Sequence, residues 1–118
     1  HLVGFTDHEI EIMALVARYH RKGMPTARHS EFAALSIEHQ RVVRLLAGML
    51  RVGIALDRAH ARAVRDVRCH VGRDEVTIEA FVRPDADATL ELYTAEQRKE
   101  LLEDALGRSV SVKAADVP

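Results

Sequence analysis

The side chains with the clearest chemical potential form a basic cluster in residues 18–29. Arg21 and Lys22 follow Arg18 by three and four positions, so on a helix the three cations share one face. Such a face can donate charge-assisted hydrogen bonds to phosphate oxygens, and arginine can donate two in parallel. The cluster predicts an anion-binding surface; the alternative is a cationic helix end that only complements the helix dipole. Its members are Arg18, His20, Arg21, Lys22, Arg28 and His29.

A second basic segment ends an apolar run further along the chain. We expect Arg51 and Arg58 to contribute to the same anion-binding surface, and we interpret Asp57 as the ion-pair partner of a nearby arginine. A metal held by His20, Asp57 or His60 is the alternative hypothesis, but the sequence lacks the spacings typical of metal ligands. It also lacks a nucleophile triad, a phosphate-binding glycine loop and a dinucleotide motif. We therefore predict neither a catalytic residue nor a metal ligand.

Helices must position these residues. Thr6 followed by Glu9 predicts a capping box that opens the first helix, and Gly23 with Pro25 predicts its end. Because residues 12–17 are apolar on nearly all sides, we expect this helix to be largely buried except at its ends.

A short helical turn over 30–35 precedes a long helix that begins after Ser36 and runs to about Ala59. The long helix has an apolar stripe at helical spacing, formed by Val42, Leu45, Leu46, Met49, Leu50, Val52 and Leu56. Gly48 and Gly53 disfavour a helix, so both predict close approach by a neighbouring helix.

From residue 64 the apolar period changes to two, which is typical of strands. The fold class is therefore α+β, with a helical portion over residues 1–63 and a small β-β-(β)-α-β unit over 64–118 packed on it. The predicted elements are strands at 64–71 and 76–82, a turn at 72–74, a short optional strand at 89–93, a helix opened by a Thr94–Gln97 capping box and ended by Gly107, and a strand at 109–113.

The charge distribution is uneven although the net charge is only −1. Residues 1–65 contain ten Lys and Arg and six Asp and Glu, a balance of +4, whereas the remainder carries −5. The basic half is thus predicted to face anions, and Arg98 and Lys99 in the acidic half are expected to take no part.

The 118 residues contain no apolar run long enough for a membrane span and one cysteine, Cys69, so we expect a single reduced, cytoplasmic domain. The chain opens on His1 without a leader segment, which predicts that an upstream part has been removed.

Three segments of the chain resemble one enzyme family. They are LVARYHRKGMP at 15–25, LR at 50–51 with LDRAH at 56–60, and, more loosely, the tail from residue 90 to the last strand. The chain resembles the helical, HD-like C-terminal domain of the exopolyphosphatase and guanosine pentaphosphate phosphatase family (Ppx/GppA). The resemblance implies that two upstream actin-like domains carry the Mg²⁺-dependent phosphohydrolase site. It also implies that the C-terminal domain helps to bind polyphosphate and to form the dimer.

Two departures bear on function. The sequence lacks the His-Asp pair that family members usually carry upstream, and Ile54 stands where active HD enzymes have a metal-binding carboxylate. The resemblance therefore implies an accessory domain that is inactive alone, binds polyphosphate or guanosine pentaphosphate without a metal, and contacts the upstream domains or a second copy. We expect no membrane or nucleic-acid partner. The alternatives are a stand-alone divergent HD-type metal-dependent nucleotide phosphohydrolase and a pure dimerisation module.

Overall fold

Three helices precede the first strand in the computed structural model, which describes residues 4–21, 23–58 and 62–116. Within these ranges, five helices and a three-stranded mixed sheet form an α+β fold, as predicted. The elements are α1 (Asp7–Tyr19), α2 (Ser30–Ala33), α3 (Ile37–Leu56), β1 (Val64–Val71), β2 (Glu75–Val82), α4 (Thr89–Gln97), α5 (Glu100–Leu106) and β3 (Ser109–Asp116).

The start of α1 is the predicted capping box. The Thr6 hydroxyl accepts the Glu9 N–H at 3.1 Å, and the Glu9 carboxylate accepts the Thr6 N–H at 2.9 Å. The expectation of a largely buried helix is wrong, because α1 packs on α3 along one side only. Its buried residues are Leu15, Val16 and Tyr19, while Met13 on the outer side is 38% exposed.

Helix α3 packs closely on α5 through a glycine. Ser36 caps α3 as predicted, accepting the His39 N–H at 3.1 Å. A Cβ at Gly48 would lie 2.8 Å from the backbone N and Cα of Leu102, so the predicted close approach is confirmed there. The close approach predicted at Gly53 is wrong, because a Cβ there would meet nothing within 4 Å.

The sheet combines an antiparallel hairpin with a parallel crossover. Its strand order is β1-β2-β3, with β1 antiparallel and β3 parallel to β2. Helices α4 and α5 make the connection from β2 to β3, as parallel pairing requires.

The optional strand predicted at 89–93 is wrong, because this segment is the first part of α4. The Asp87 carboxylate accepts the N–H and the hydroxyl of Thr89 at 2.9 and 2.5 Å, which favours a helical start. Thr94 lies inside α4 and donates to the Leu90 carbonyl, so it does not open a helix. Gly107 ends α5 with φ +66°, as predicted.

Among the described residues, two apolar clusters form the core, and neighbouring residues of α5 contribute to both. Leu102 packs with Val52 and Leu56 of α3 against the inner side of the sheet. Leu101 packs with Leu15 of α1 and Phe32 of α2. Helices α3 and α5 therefore join the helical and sheet portions; the division at residue 63 stays a prediction. No described helix has the length and apolar character needed to cross a membrane.

Candidate anion-binding surface

The C-terminal end of α1 is capped by an arginine from α3. The last carbonyls of a helix lack partners within it. Arg51, which is 8% exposed, donates from Nε and Nη2 to the Tyr19 carbonyl at 2.9 and 2.7 Å. Its Nη2 also donates to the Gly23 carbonyl. The described hydrogen bonds of Arg51 thus go to backbone carbonyls. The residue is buried, although it was predicted to lie on the exposed anion-binding surface.

A second arginine caps the next two carbonyls. Arg98, directly after α4, donates from Nη2 to the His20 carbonyl at 3.0 Å and to the Arg21 carbonyl. Arg98 therefore has a structural role at the end of α1, and the expectation that it takes no part in binding anions stays a prediction. Lys99 is structural as well, since its Nζ lies 2.6 Å from both a Glu96 carboxylate oxygen and the Val110 carbonyl oxygen.

Burial and like charge act together on Arg51. Burial lowers the pKa of its guanidinium, the positive charge of Arg98 lowers it further, and Glu100 opposes both. Arginine nevertheless stays protonated in proteins. Two fixed positive charges therefore stand at the end of α1 before any exposed residue is considered.

Exposed cations surround this capped end. The Arg18 guanidinium lies 5.2 Å from the Tyr19 ring centroid and 3.7 Å from the Glu31 carboxylate. Arg21 and Arg28 are exposed. His20 is the C-cap residue of α1, and its Nδ1 hydrogen-bonds to the Ala17 carbonyl at 2.6 Å. Lys22 lies outside the described residues.

A buried tyrosine holds the loop that carries Arg28. The Tyr19 hydroxyl and His29 Nδ1 are joined by a 2.6 Å hydrogen bond, and the two rings stack with centroids 5.5 Å apart. Phe32 packs edge-on against Tyr19 at 6.0 Å. The loop after α1 is thus fixed over the helix end by a side chain that sequence reasoning did not single out.

Arg58 lies at the end of α3 rather than at the end of α1. It is exposed, and its Nη1 donates to the Thr94 hydroxyl at 3.4 Å. None of the contacts described for residues 4–21, 23–58 and 62–116 joins it to the cations around α1. Asp57 is the C-cap residue of α3, and its pairing with an arginine stays a prediction.

The described residues do not bring together a metal-binding set. Across the described ranges, no group of three or more His, Cys, Asp or Glu side chains could hold a metal ion. This search includes His20 and Asp57, whereas His60 lies outside the described residues. Within these ranges, the donor atoms therefore do not form a site for Mg²⁺ or for a transition metal.

Comparison with protein families decides the identity of the domain. The family model described as Ppx/GppA phosphatase, domain III, matches residues 1–103. The chain belongs to the Ppx/GppA family. The matched region extends from α1 into α5 and includes every cation discussed above. The curated proteins compared with the chain gave no match.

Two features of this Ppx/GppA domain could not be read from its sequence. Arg51 occupies a helical position between apolar residues, where a buried arginine has no distinguishing signal. Arg98 lies 77 positions from the Arg21 carbonyl that it caps, so only the tertiary fold brings them together. The basic residues of α1 itself, by contrast, were visible as a cluster.

Proposed function

We propose that this domain binds polyphosphate, or guanosine pentaphosphate, on behalf of a parent Ppx/GppA phosphohydrolase. One observation carries the proposal: five arginines gather around the C-terminal end of α1. Two of them, Arg51 and Arg98, hold the helix end rigid through its carbonyls. The other three, Arg18, Arg21 and Arg28, extend the positive surface to solvent.

The arrangement suits an extended polyanion better than a compact one. The three outer arginines lie on an exposed surface, where each can meet a different phosphate of a chain. Glu31 is the only acidic partner described for them, at 3.7 Å from Arg18. An exposed pair of this kind contributes about 0–1 kcal/mol, so a phosphate chain can displace it.

The binding test compares two double variants with the same change in charge. Arg18→Ala with Arg21→Ala removes two surface cations, whereas Arg73→Ala with Lys113→Ala removes two exposed cations of the sheet portion. The first should lower the affinity for long-chain polyphosphate and flatten its dependence on salt, because fewer counterions are exchanged on binding (an extension by analogy from nucleic acids). Equal behaviour of the two variants in a salt series of titrations would contradict the proposal.

In this proposal the chain itself does not hydrolyse its ligand. Mg²⁺ and the acidic residue that activates water belong to upstream actin-like domains of the parent, which would be cytoplasmic. Incubation of the 118-residue chain with Mg²⁺ and either substrate should release no orthophosphate. Sustained release, together with Mn, Fe or Ni that survives dialysis against a chelator, would instead support a stand-alone HD-type hydrolase.

We further propose that a second copy of the chain covers the outer face of α3. This face carries four large, exposed apolar side chains at helical spacing. A contiguous apolar surface of this kind marks contact sites. Its members are Leu46, Met49, Leu50 and Ile54, which are 41–52% exposed. Three of them, Leu46, Met49 and Leu50, belong to the seven-residue stripe that was predicted for the long helix.

Sedimentation equilibrium tests this second role. The unmodified chain should dimerise at micromolar concentration, and Met49→Lys with Ile54→Lys should make it monomeric. Leu90→Lys is the matched control, because Leu90 is also an exposed apolar residue, on α4. A monomeric unmodified chain would contradict dimerisation through α3 while leaving the polyphosphate proposal intact.

A further inference from the structure

An apolar cleft of about 500 Å³ lies between the helices and the inner side of β1. This volume is within the range of small-molecule sites, which are mostly apolar with a few polar groups that orient the ligand. Val67, Cys69 and Val71 of β1 form one wall, and residues of α3 and α5 contribute to the other. Among the described residues that line the cleft, Arg108 alone carries a charge.

The cleft exists because the helices cover β2 but leave β1 uncovered. Cys69 pairs with Ile78 and Val71 with Val76, and opposite residues of an antiparallel pair share one side of the sheet. Val76 and Ile78 are buried in the core against residues of α3 and α5, whereas Cys69 and Val71 are exposed. The inner side of β1 therefore extends beyond the helices as an open apolar surface.

A glycine leaves room in the helical wall. Met49, Gly53 and Leu56 line the cleft from one face of α3. Glycine is unfavourable inside a helix, and a Cβ at Gly53 would meet nothing within 4 Å. Packing against a neighbouring element therefore does not account for this glycine, and any larger side chain there would reduce the open space along α3.

The cleft is long and narrow enough to suit an extended chain. From Val67 to Val71, β1 covers about 14 Å at ~3.4 Å per residue. From Leu45 to Leu56, α3 covers about 16 Å at ~1.5 Å per residue. The cleft thus offers a single unbranched chain apolar contacts along its length.

The charged residue lies at one end of the cleft. Arg108 donates from Nε to the Arg73 carbonyl at 3.2 Å, which holds its guanidinium beside the hairpin turn that follows Val71. Glu38 and Arg108 line the neighbouring cleft together, yet within the described part of the chain no ion pair joins Arg108 to a carboxylate. Its two Nη groups can therefore donate to a carboxylate of a ligand in parallel.

We propose that this cleft binds a free, single-chain alkyl carboxylate such as decanoate. The alkyl chain lies between α3 and β1, where it leaves water, and the carboxylate meets the Arg108 guanidinium at the end of the cleft. None of the lining residues belongs to the α1 surface, and only Met49 is shared with the outer face of α3. The inference therefore goes beyond the proposed function and does not depend on it.

Calorimetric titration of the 118-residue chain with decanoate and decylammonium, below the concentrations at which they form micelles, tests the charge match. Decanoate should bind more tightly. Arg108→Ala should weaken decanoate at least fivefold and abolish its advantage over decylammonium. Lys113→Ala removes the same charge from the outer side of the sheet and should change neither ligand. Equal binding of the two ligands to the unmodified chain, or equal effects of the two variants, would overturn the proposal.

A second pair of variants tests the position of the alkyl chain. Cys69→Phe fills the cleft and should weaken decanoate at least tenfold. His70→Phe is the matched control, because its neighbouring position on β1 faces the other side of the sheet, and it should bind like the unmodified chain. Equal affinities of the two variants, with melting temperatures that show both to be folded, would overturn the site.

The single cysteine gives a readout that needs no variant. Cys69 is exposed in the unmodified chain, so decanoate should slow its reaction with a thiol reagent over the concentration range found by calorimetry. An unchanged rate would overturn the proposal. A rate that falls with protein concentration instead, in step with dimerisation by sedimentation, would assign the cleft to a second copy and equally overturn it.

The length of the ligand and competition complete the test. From hexanoate to decanoate, affinity should rise about twofold to fourfold per methylene, as expected for partly or fully buried groups; a flat series would contradict the apolar contact. Long-chain polyphosphate should not displace decanoate, and Arg18→Ala with Arg21→Ala should leave decanoate binding unchanged. Failure of this site and failure of the proposed function therefore give different results.

Discussion

Arg51 of α3 donates two hydrogen bonds to a single acceptor, the Tyr19 carbonyl oxygen at the end of α1, at 2.9 and 2.7 Å. The guanidinium is buried, and its contacts are backbone carbonyls rather than carboxylates. Arg98 extends the same capping to the two following carbonyls. Arg51 of α3 and Arg98, which directly follows α4, therefore hold the end of α1 and the start of the loop after it.

Removal of the Arg51 side chain should destabilise the domain. Arg51→Ala leaves the Tyr19 and Gly23 carbonyls without their donor and opens space beside α1, at a cost of about 2–4 kcal/mol. Arg41→Ala, an exposed arginine on the same helix, should change stability by less than ~0.5 kcal/mol. Urea denaturation of both variants checks this, and equal stabilities would contradict the capping role.

The two glycines of α3 should respond in opposite directions to alanine. Gly48→Ala places a methyl group 2.8 Å from the Leu102 backbone, so α5 must move, at a cost of about 1–3 kcal/mol. Gly53→Ala meets nothing within 4 Å and should stabilise the helix by up to ~1 kcal/mol. Thermal melts of the two variants decide the matter, and similar shifts of the same sign would contradict the contact.

The capping box of α1 should make stability depend on pH in acid. The hydrogen bond from the Thr6 N–H, followed by that with the Thr6 hydroxyl, lowers the pKa of Glu9. Because the pKa of Glu9 is lower in the folded state, the ionised carboxylate stabilises the fold at pH values above the ordinary glutamate pKa of about 4.3. This stabilisation is lost as the pH falls through the pKa of the folded state. The unmodified chain should therefore have a larger free energy of unfolding than the Glu9→Gln variant at pH 7. The difference between the two free energies should become smaller in acid. A difference independent of pH would contradict the assignment.

Lys99 should contribute to stability although it lies in the acidic half. Its Nζ contacts the Glu96 carboxylate and the Val110 carbonyl, and the Glu103 carboxylate lies 3.9 Å away, so it ties α4 and α5 to β3. Lys99→Ala should cost about 1–2 kcal/mol. Lys113→Ala, an exposed lysine on β3, is the control and should be nearly neutral in the same chemical denaturation experiment. Equal effects would contradict the contribution of the contacts.

Local signals predicted the starts of α1 and α3. Thr6 with Glu9 and Ser36 identified the starts of α1 and α3, because capping is a contact within one turn. The segment at 89–93 was misjudged because Thr89-Leu90-Glu91-Leu92-Tyr93 alternates like a strand and includes residues that favour strands. The signal that could have corrected it was Asp87, whose carboxylate receives the Thr89 donors.

Long-range contacts account for what sequence patterns missed at the candidate sites. The basic residues of α1 were visible as a cluster, but the capping by Arg51 and Arg98 depends on how α3 and α4 meet α1. The position of Arg65 depends on a strand irregularity between Val64 and Asp66. A change of register of this kind leaves no mark in the alternation of so short a strand.

The parallel pairing of β2 with β3 has a consequence for the order of folding. The β1–β2 hairpin closes through a short turn, but β3 reaches β2 only after the intervening helices have crossed the sheet. Contacts distant in sequence form late because closing the loop between them costs entropy. We therefore expect the hairpin and the helices to assemble first. Until β3 arrives, one edge of β2 has no partner strand, and a strand of another refolding chain could pair with it.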